Sequence, residues 1–424
     1  MGDLSYRNVL GRVEGLKRGI TTGTCAAAAA KAAAEAFARR LEGKRPEQPS
    51  EGPHTVSITL PGGRRSYSGR MISVPVEFVR IEEGAVSAGV RKDAGDDDDI
   101  TDNALFVATA SLSNAPGFTI TGGTGVGTVT REGLKVPVGE KAINPTPRTM
   151  ITAETEPLLP SLPPGKGLNI LITVPEGEAL AAKTWNPRLG ITGGISIIGT
   201  TGVVEPKSSK AFQASIATMV RAAAKTGPRG RGAGIVITPG YVGEKYLFET
   251  VKMEEERVVT VGDHVGFAVR LAVRQGFERI SFAGHIGKAA KVAAGLFNTH
   301  SRYGDARLET VAACAAASGA DRTVVEKLLT LRLAEESVPL LREAGLKGTF
   351  RVLAERVCGR FEQLSGRVPG RGDGFPGENP VTKKNKHKKG APVFACAVLD
   401  LEGNLLGAYP EYVGEENGWN RFMS

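Results

Sequence analysis

Glycine and hydroxyl residues follow three apolar runs of this sequence, in positions where they could contact an anionic ligand. Glycine lets backbone N–H groups approach a ligand closely, and the first turn of a helix favours negative charge. If the three runs are neighbouring strands, these turns would converge on one crevice. Ordinary turn chemistry is the alternative for each of them. The turns are Gly199-Thr200-Thr201-Gly202 after Ile195–Ile198, Thr238-Pro239-Gly240-Tyr241 after Ile235–Ile237, and Gly284-His285-Ile286-Gly287-Lys288 after Ile280–Ala283.

An acidic run and two histidines are the next candidates. In Asp93-Ala94-Gly95-Asp96-Asp97-Asp98-Asp99, repulsion between carboxylates could raise the pKa of one of them or attract a cation. The spacing does not fit a calcium loop, and a solvated turn or a helix N-cap is the alternative. His285 lies in a glycine turn and His300 follows in Asn298-Thr299-His300-Ser301; either could instead be structural.

The segment Thr21-Thr22-Gly23-Thr24-Cys25 precedes an alanine-rich helix predicted from Cys25 to Leu41, with Gly43 just beyond its end. Its hydroxyls could hold a carboxylate at the helix N-terminus or simply cap the helix. A cysteine in this position could have a lowered thiol pKa, but a small residue buried beside alanine is the favoured interpretation.

The elements that must position these residues follow two patterns. From His54 to about Val138, alternating and β-branched residues predict strands, including Met71–Ile81, Ala85–Lys92, Gly117–Thr121 and Gly127–Thr130. After Pro164, short apolar runs near Leu168–Val174, Ile195–Ile198, Gly234–Thr238 and Arg279–Ala283 alternate with helical segments, which predicts a parallel sheet.

The fold class is therefore α/β, a strand-rich α+β domain followed by a Rossmann-like parallel-sheet domain. We expect the first domain to span residues 1–150 and the second 151–330. Residues 331–424 should supply helical segments, a charged loop at Pro369–Gly390 and a closing hairpin formed by Val393–Leu401 and Leu405–Ala408.

Composition limits the function classes. The net charge is +9, which favours an anionic partner, and the 55 glycines indicate many tight turns. Few aromatic residues and no recognition motif argue against nucleic acid, although the lysine-rich run at 383–389 is strongly basic. The four cysteines show no CxxC spacing, so no protein-bound metal or disulfide framework is expected. No signal peptide or membrane span is predicted, and the expected location is the cytoplasm.

Taken together, the motifs resemble the CbiD family of corrinoid biosynthesis, the cobalt-precorrin-5B C1-methyltransferases. They follow in family order over about residues 15 to 320. The matching segments are Gly19-Ile20-Thr21-Thr22-Gly23-Thr24-Cys25-Ala26, Lys92-Asp93-Ala94-Gly95-Asp96-Asp97, Gly125-Val126-Gly127, Val136-Pro137-Val138-Gly139-Glu140, Ala142-Ile143-Asn144-Pro145, Gly199-Thr200-Thr201-Gly202 with Glu205-Pro206, Gly284-His285-Ile286-Gly287-Lys288 and Asn298-Thr299-His300-Ser301.

The resemblance implies methyl transfer from S-adenosylmethionine to C1 of cobalt-precorrin-5B, giving cobalt-precorrin-6A in the anaerobic, early-cobalt route to cobalamin. Cobalt would arrive with the substrate, and other enzymes of the corrinoid pathway are conceivable partners. The implied roles fall into three groups: S-adenosylmethionine binding by Thr200, Thr201, Gly202, Pro239 and Gly240; orienting or proton handling by Asp93, Asp96, His285 and His300; and substrate binding by Thr21, Thr22, Thr24 and Lys288.

The acidic motif departs from the family pattern. Where the family continues with Pro and then Thr-His-Gly, this chain has Asp98 and then Thr101-Asp102-Asn103, so a role for that histidine does not carry over. Two alternatives to a methyltransferase remain at this point: a nucleotide-using transferase, since glycine turns also cradle phosphates, and a non-catalytic tetrapyrrole-binding protein. Neither a P-loop nor a full G-x-G-x-x-G is present, which disfavours a P-loop kinase and an NAD dehydrogenase.

Overall fold

The computed structural model describes residues 5–43, 54–206, 208–226, 234–366 and 391–423. The chain divides into two compact units, Met1–Ser209 and Lys210–Ser424. The predicted boundaries at 150 and 330 differ from this division. The lysine-rich run at 383–389 and the loop at 369–390, both named above, lie outside the described residues.

The first unit combines short strands with one long helix. Its helices are α1 (Tyr6–Leu10), α2 (Thr22–Leu41), α3 (Pro145–Thr155) and α4 (Gly177–Ala181), and its strands are β1 (Arg12–Val13), β2 (Leu16–Lys17), β3 (Gly19–Ile20), β4 (His54–Thr59), β5 (Met71–Val76), β6 (Phe78–Glu82), β7 (Ala85–Arg91), β8 (Leu105–Ser113), β9 (Gly117–Gly122), β10 (Gly125–Val126), β11 (Thr128–Val129), β12 (Gly167–Thr173), β13 (Ile191–Thr192), β14 (Gly194–Ile195) and β15 (Val203–Val204).

A five-stranded sheet in the order β6-β7-β8-β12-β9 forms the centre of this unit. Neighbouring strands are antiparallel except β12 and β9, which are parallel. The sequence predicted β12 for the parallel sheet of the second domain, and that placement was wrong, because β12 pairs with β8 and β9. Strand β8 was not predicted at all. Its buried face carries Phe106, Ala108 and Ala110, and alanine is a poor strand former whose alternation is easily missed.

Helix α2 packs against β7, β8 and α3, and its alanines let those elements come close. Almost every side chain from Thr22 to Ala34 is buried, as predicted. The helix begins at Thr22 and not at Cys25, because Thr21 is the N-cap and accepts a hydrogen bond from the Thr24 amide at 3.2 Å. Gly43, at φ +71°, follows the C-cap, which confirms the predicted helix end.

The second unit has the alternating order predicted for a parallel sheet. Its helices are α5 (Ser209–Thr226), α6 (Tyr241–Lys245), α7 (Val265–Gln275), α8 (Ile286–Ala293), α9 (Arg307–Ala317), α10 (Arg322–Thr330), α11 (Ser337–Glu343), α12 (Gly348–Gly366) and α13 (Gly418–Met423), and its strands are β16 (Gly234–Thr238), β17 (Val258–Thr260), β18 (Arg279–His285), β19 (Val393–Leu399) and β20 (Leu405–Tyr409).

The strand order is β17-β16-β18-β19-β20, with β20 antiparallel and the other four parallel. The α/β class is confirmed, and so is the closing hairpin, whose first strand β19 extends the parallel sheet. The chain leaves β16 toward β17 on one side and returns to β18 on the other. The ends of β16 and β18 therefore flank a topological switch point, where open α/β sheets bind ligands.

Candidate functional site

Two of the three predicted glycine turns lie side by side at the carboxyl edge of the parallel sheet. Pro239 and Gly240 follow β16, and His285 ends the neighbouring strand β18. The third turn, Gly199–Gly202, was expected at the same edge, but it belongs to the first unit, where Ile195 ends a two-residue strand paired with β10. The predicted S-adenosylmethionine residues are therefore divided between the two units.

The turn after β16 contains two glycines, Gly240 and Gly243, whose surroundings differ. A Cβ added at Gly240 would meet no heavy atom within 4 Å, so the crevice above it is open. A Cβ at Gly243 would lie 2.0 Å from Thr238 Oγ1 and 2.5 Å from the Ala283 carbonyl oxygen, so glycine is needed for α6 to pack on the strand ends. These are the roles of the second and third glycines in a dinucleotide-binding turn. Gly-x-x-Gly directly after a buried strand was the signal in the sequence that could have identified Gly243.

Asp263 is a second candidate site residue that the sequence analysis did not identify. It lies three residues beyond the end of β17, and its Oδ1 accepts hydrogen bonds from Lys288 Nζ at 2.5 Å and Thr299 Oγ1 at 2.6 Å. Burial raises the pKa of Asp263, but the hydrogen bonds from Lys288 and Thr299 outweigh it, so the pKa is lower than usual. Oδ2 has no partner among the described residues.

The separation of Asp263 from the glycine turn is informative. An acidic residue about 20 positions after such a turn, at the end of the next strand, accepts a ribose hydroxyl in dinucleotide-binding folds. Asp263 follows Gly240 at nearly that distance along the chain, and its Oδ2, which has no partner among the described residues, could accept such a hydrogen bond. Lys288, predicted to contact the substrate, neutralises this carboxylate while its side chain stays 38% exposed.

His285 has hydrogen-bond partners for both ring nitrogens. Its Nδ1 accepts from the Gly287 amide at 3.2 Å and so caps α8, while Nε2 lies 2.8 Å from Glu335 Oε2. With Nδ1 as acceptor, the proton of the neutral ring is on Nε2 and is donated to Glu335. The other oxygen of Glu335 accepts from the Leu401 amide at 3.2 Å. Glu335 therefore fixes the His285 ring and joins it to the loop after β19.

His300 is more accessible than His285. It is exposed, and its Nδ1 accepts from the Arg302 amide at 3.2 Å, which caps a short 3-10 turn at Ser301–Tyr303. Its Nε2 has no hydrogen-bond partner among the residues that the structure describes. The preceding residue, Thr299, binds Asp263, so the Asn298–Ser301 motif adjoins the carboxyl edge.

In the first unit, the threonine turn and the third glycine turn form one hydrogen-bonded cluster. The Thr21 amide and Thr24 Oγ1 donate to the Gly202 carbonyl at 3.1 and 2.6 Å. Thr22 Oγ1 accepts from the Ile198 amide at 2.8 Å. Thr21, Thr22 and Thr24 are buried, whereas Thr200 is exposed. The three buried hydroxyls thus hold the loop on the N-terminus of α2.

The acidic run is also tied into the first unit. Asp93 accepts from Tyr6 Oη at 2.6 Å and from Arg7, and Asp96 Oδ2 accepts from the Lys17 amide at 2.7 Å. Burial raises the pKa of Asp93, but hydrogen bonds from Tyr6, the Gly95 amide and Arg7 outweigh it, leaving the pKa below its usual value. Repulsion within the acidic run therefore does not raise the pKa of Asp93.

The departures from the family motif have a local explanation. Asp102 Oδ1 accepts from the Ala94 amide at 2.8 Å, which closes the acidic turn. Asn103 has φ +61°, a left-handed conformation that asparagine tolerates better than most residues, so it can replace the family glycine.

Cys25 is a buried packing residue. Burial raises the pKa of its thiol to about 12 and outweighs the lowering effect of the Lys92 charge. Within the described ranges, no three His, Cys, Asp or Glu side chains are grouped so that they could hold a metal ion. A search of the same residues finds no helix long and apolar enough to cross a membrane.

Fold and site define a class: an α/β protein whose parallel sheet has, at its switch point, a glycine turn and a carboxylate oxygen without a partner among the described residues. Comparison with known proteins then identifies the family. The CbiD profile matches residues 10–206, and the profile "CbiD, C-terminal domain" matches residues 298–371. The chain belongs to the CbiD family, as its motifs predicted.

Curated relatives support this assignment over most of the chain. A cobalt-precorrin-5B C(1)-methyltransferase of Thermoanaerobacter sp. (strain X514) is 41% identical over 311 residues, 73% of this chain and 81% of the relative. The cobalt-precorrin-5B C(1)-methyltransferase of Moorella thermoacetica is 40% identical over 396 residues, which cover 93% of this chain and 95% of the relative. A crystal structure of the cobalamin biosynthesis protein (cbiD) from Archaeoglobus fulgidus is 29% identical in sequence. The match covers 68% of this chain and 84% of the Archaeoglobus chain. Its TM-score of 0.33 is too low to support any statement about the fold.

Proposed function

We propose that this protein methylates C1 of cobalt-precorrin-5B with S-adenosylmethionine, giving cobalt-precorrin-6A in the anaerobic pathway to cobalamin. The observation that carries the proposal is the 40% identity to the Moorella thermoacetica cobalt-precorrin-5B C(1)-methyltransferase across 93% of this chain. We place the reaction in the cytoplasm, where other enzymes of the pathway would supply the substrate and take the product.

The carboxyl edge of the parallel sheet fits S-adenosylmethionine. Open space above Gly240 leaves room for the adenosyl group beside Pro239, and Asp263 Oδ2 is available to a ribose hydroxyl. Thr200, Thr201 and Gly202 were predicted for the same ligand. Gly202 is buried and its carbonyl oxygen accepts a hydrogen bond from Thr24, so we assign this group to the loop cluster of the first unit.

The macrocycle carries many carboxylates, and the net charge of +9 favours its approach. Near the candidate cofactor site, Lys288 and His300 can donate to those carboxylates, and Tyr241, 75% exposed, offers an apolar face beside Gly240. Asp93 and Asp96, which were also predicted to orient the substrate, belong to the first unit, where they fix the Arg7 and Lys17 segments.

Methyl transfer depends more on the positions of the methyl donor and C1 than on a strong base. S-adenosylmethionine supplies a methyl group on a sulfonium, and the sulfur keeps the bonding pair when the methyl carbon bonds to C1. Such a displacement needs donor and acceptor held in line and shielded from water. The Glu335–His285–Gly287 chain suits this task, because it fixes the loops after β18 and β19 relative to each other.

The direct test is incubation of the purified protein with cobalt-precorrin-5B and methyl-labelled S-adenosylmethionine. We expect label at C1 of the macrocycle and stoichiometric S-adenosylhomocysteine. Absence of label from the macrocycle would refute the proposal. Stabilisation by ATP but not by S-adenosylhomocysteine would favour a nucleotide-using transferase, and corrinoid binding without either cofactor would favour a carrier.

A further inference from the structure

A cavity of about 300 Å³, open to solvent, lies on one face of α12. Its lining residues are Arg356, Gly359, Arg360 and Gln363. They are spaced i, i+3, i+4 and i+7, so they share a single helix face. The cavity adjoins the C-terminal end of α8, whose N-terminal end carries the His285 cap, and the length of α8 separates the two places.

Two guanidinium groups converge in this cavity on one acceptor. Arg356 Nε and Arg360 Nε donate to the same oxygen, the carbonyl of Ala293 at the end of α8, at 3.3 and 3.0 Å. One arginine is enough to cap a helix C-terminus. Two held together repel each other, and neither has a carboxylate partner among the described residues. The arrangement therefore leaves positive charge that the described part of the protein does not neutralise.

The lining also contains further hydrogen-bond donors and a glycine. Arg360 Nη1 donates to Gln363 Oε1 at 3.0 Å. The amide nitrogen of Gln363 and the remaining guanidinium N–H groups have no partner among the described residues. Gly359 lies inside α12, where glycine is disfavoured, yet a Cβ added there would meet nothing within 4 Å. Packing among the described residues does not require this glycine, and its absent side chain keeps the space between the arginines open.

We propose that this cavity is an oxyanion site that binds a carboxylate or phosphate group of a small molecule, held by Arg356, Arg360 and Gln363. Guanidinium groups match both anions through paired hydrogen bonds, and the volume suits a small ligand. The proposal is independent of the methyltransferase assignment, because the cavity lies at the opposite end of α8 from the candidate cofactor site.

The test is calorimetric titration of the full chain with inorganic phosphate and, separately, with tricarballylate, at constant ionic strength. We expect saturable binding of at least one of them with one site per chain, and the tighter one identifies the anion. Arg356→Gln should weaken that binding at least tenfold. Gly359→Leu should abolish it by filling the cavity, with no loss of Tm, since leucine is the better helix former.

Arg351→Gln is the matched control, because it removes the same charge from the same helix at a residue that pairs with Glu355 and Glu411. It should change anion affinity less than twofold. The proposal is overturned if neither anion binds saturably, if Arg351→Gln weakens binding as much as Arg356→Gln, or if Gly359→Leu binds like the wild type.

Discussion

The two glycines after β16 should respond in opposite ways to the same added methyl group. In Gly243→Ala the new Cβ would lie 2.0 Å from Thr238 Oγ1, and it must retreat about 1.4 Å to reach an ordinary contact of 3.4 Å. The Ala283 carbonyl oxygen, at 2.5 Å, is backbone and cannot rotate away. In Gly240→Ala the methyl group enters open space, and the backbone there, at φ 163°, is extended and accessible to alanine.

The magnitudes follow from these contacts. Overpacking at Gly243 should cost roughly 1–3 kcal/mol, which lowers Tm by about 2–12 °C for a unit of this size. At Gly240, alanine removes freedom from the unfolded chain and should leave Tm unchanged or slightly higher. The same methyl group would occupy the space assigned to the adenosyl group, so affinity for S-adenosylhomocysteine should fall on the order of tenfold, equivalent to about 1.4 kcal/mol.

Scanning calorimetry and titration with S-adenosylhomocysteine, applied to wild type and both variants, measure these effects. The result that refutes the cofactor site is a Gly240→Ala protein with unchanged Tm and unchanged affinity for S-adenosylhomocysteine. An unchanged Tm in Gly243→Ala would refute the packing argument alone, because the two predictions depend on different atoms.

Three further predictions address pH, capping and thiols. The pKa of Asp263 is lower in the folded protein than usual, so its carboxylate stabilises the fold above about pH 4 and that contribution is lost as pH falls through the lowered value. Urea unfolding at pH 6 and pH 3 should therefore show a smaller acid-induced loss for Asp263→Asn than for wild type, and equal losses would contradict the ion pair. Thr21→Ala should lower the free energy of unfolding by about 1 kcal/mol, whereas Thr21→Ser should keep the cap; equal losses in the two variants would rule out the capping role. The four cysteines are buried and burial raises the pKa of each thiol, so the native protein at pH 8 should react with Ellman's reagent only on unfolding, and a fast native thiol would contradict this.

Sequence patterns predicted those helices and strands that are specified by residues adjacent in the sequence. Alanine content predicted α2, and apolar runs flanked by glycine predicted β16 and β18, because helix propensity and a fully buried strand both leave a mark on neighbouring residues. Pairing is not local. Nothing in Leu168–Val174 indicates that its partners are β8 and β9 of the first unit, and β8 itself, with alanine on its buried face, lacks the usual strand composition.

The site could be predicted in part for the same reason. His285 and Gly240 lie in the turns directly after strands, so the sequence identified them. Asp263 binds Lys288, 25 residues further along the chain. Glu335 binds His285, which lies 50 residues earlier. A single acidic residue in a loop has no pattern of its own, and only the spacing from the glycine turn to Asp263 could have indicated it.

The family motifs of the first unit are recognisable because a side chain would not fit at their glycines. A Cβ at Gly19 would lie 2.2 Å from the Ala94 carbonyl carbon, and one at Gly199 would lie 2.2 Å from Thr21 Oγ1. Each contact joins two motifs that are distant in sequence, the first to the acidic run and the second to the threonine turn. At these positions the close approach of two backbone segments requires glycine, and this requirement does not depend on the ligand. These motifs therefore identify the fold and the family, whereas the chemistry has to be argued from atoms that the packing leaves free, such as Asp263 Oδ2 and the open face of Gly240.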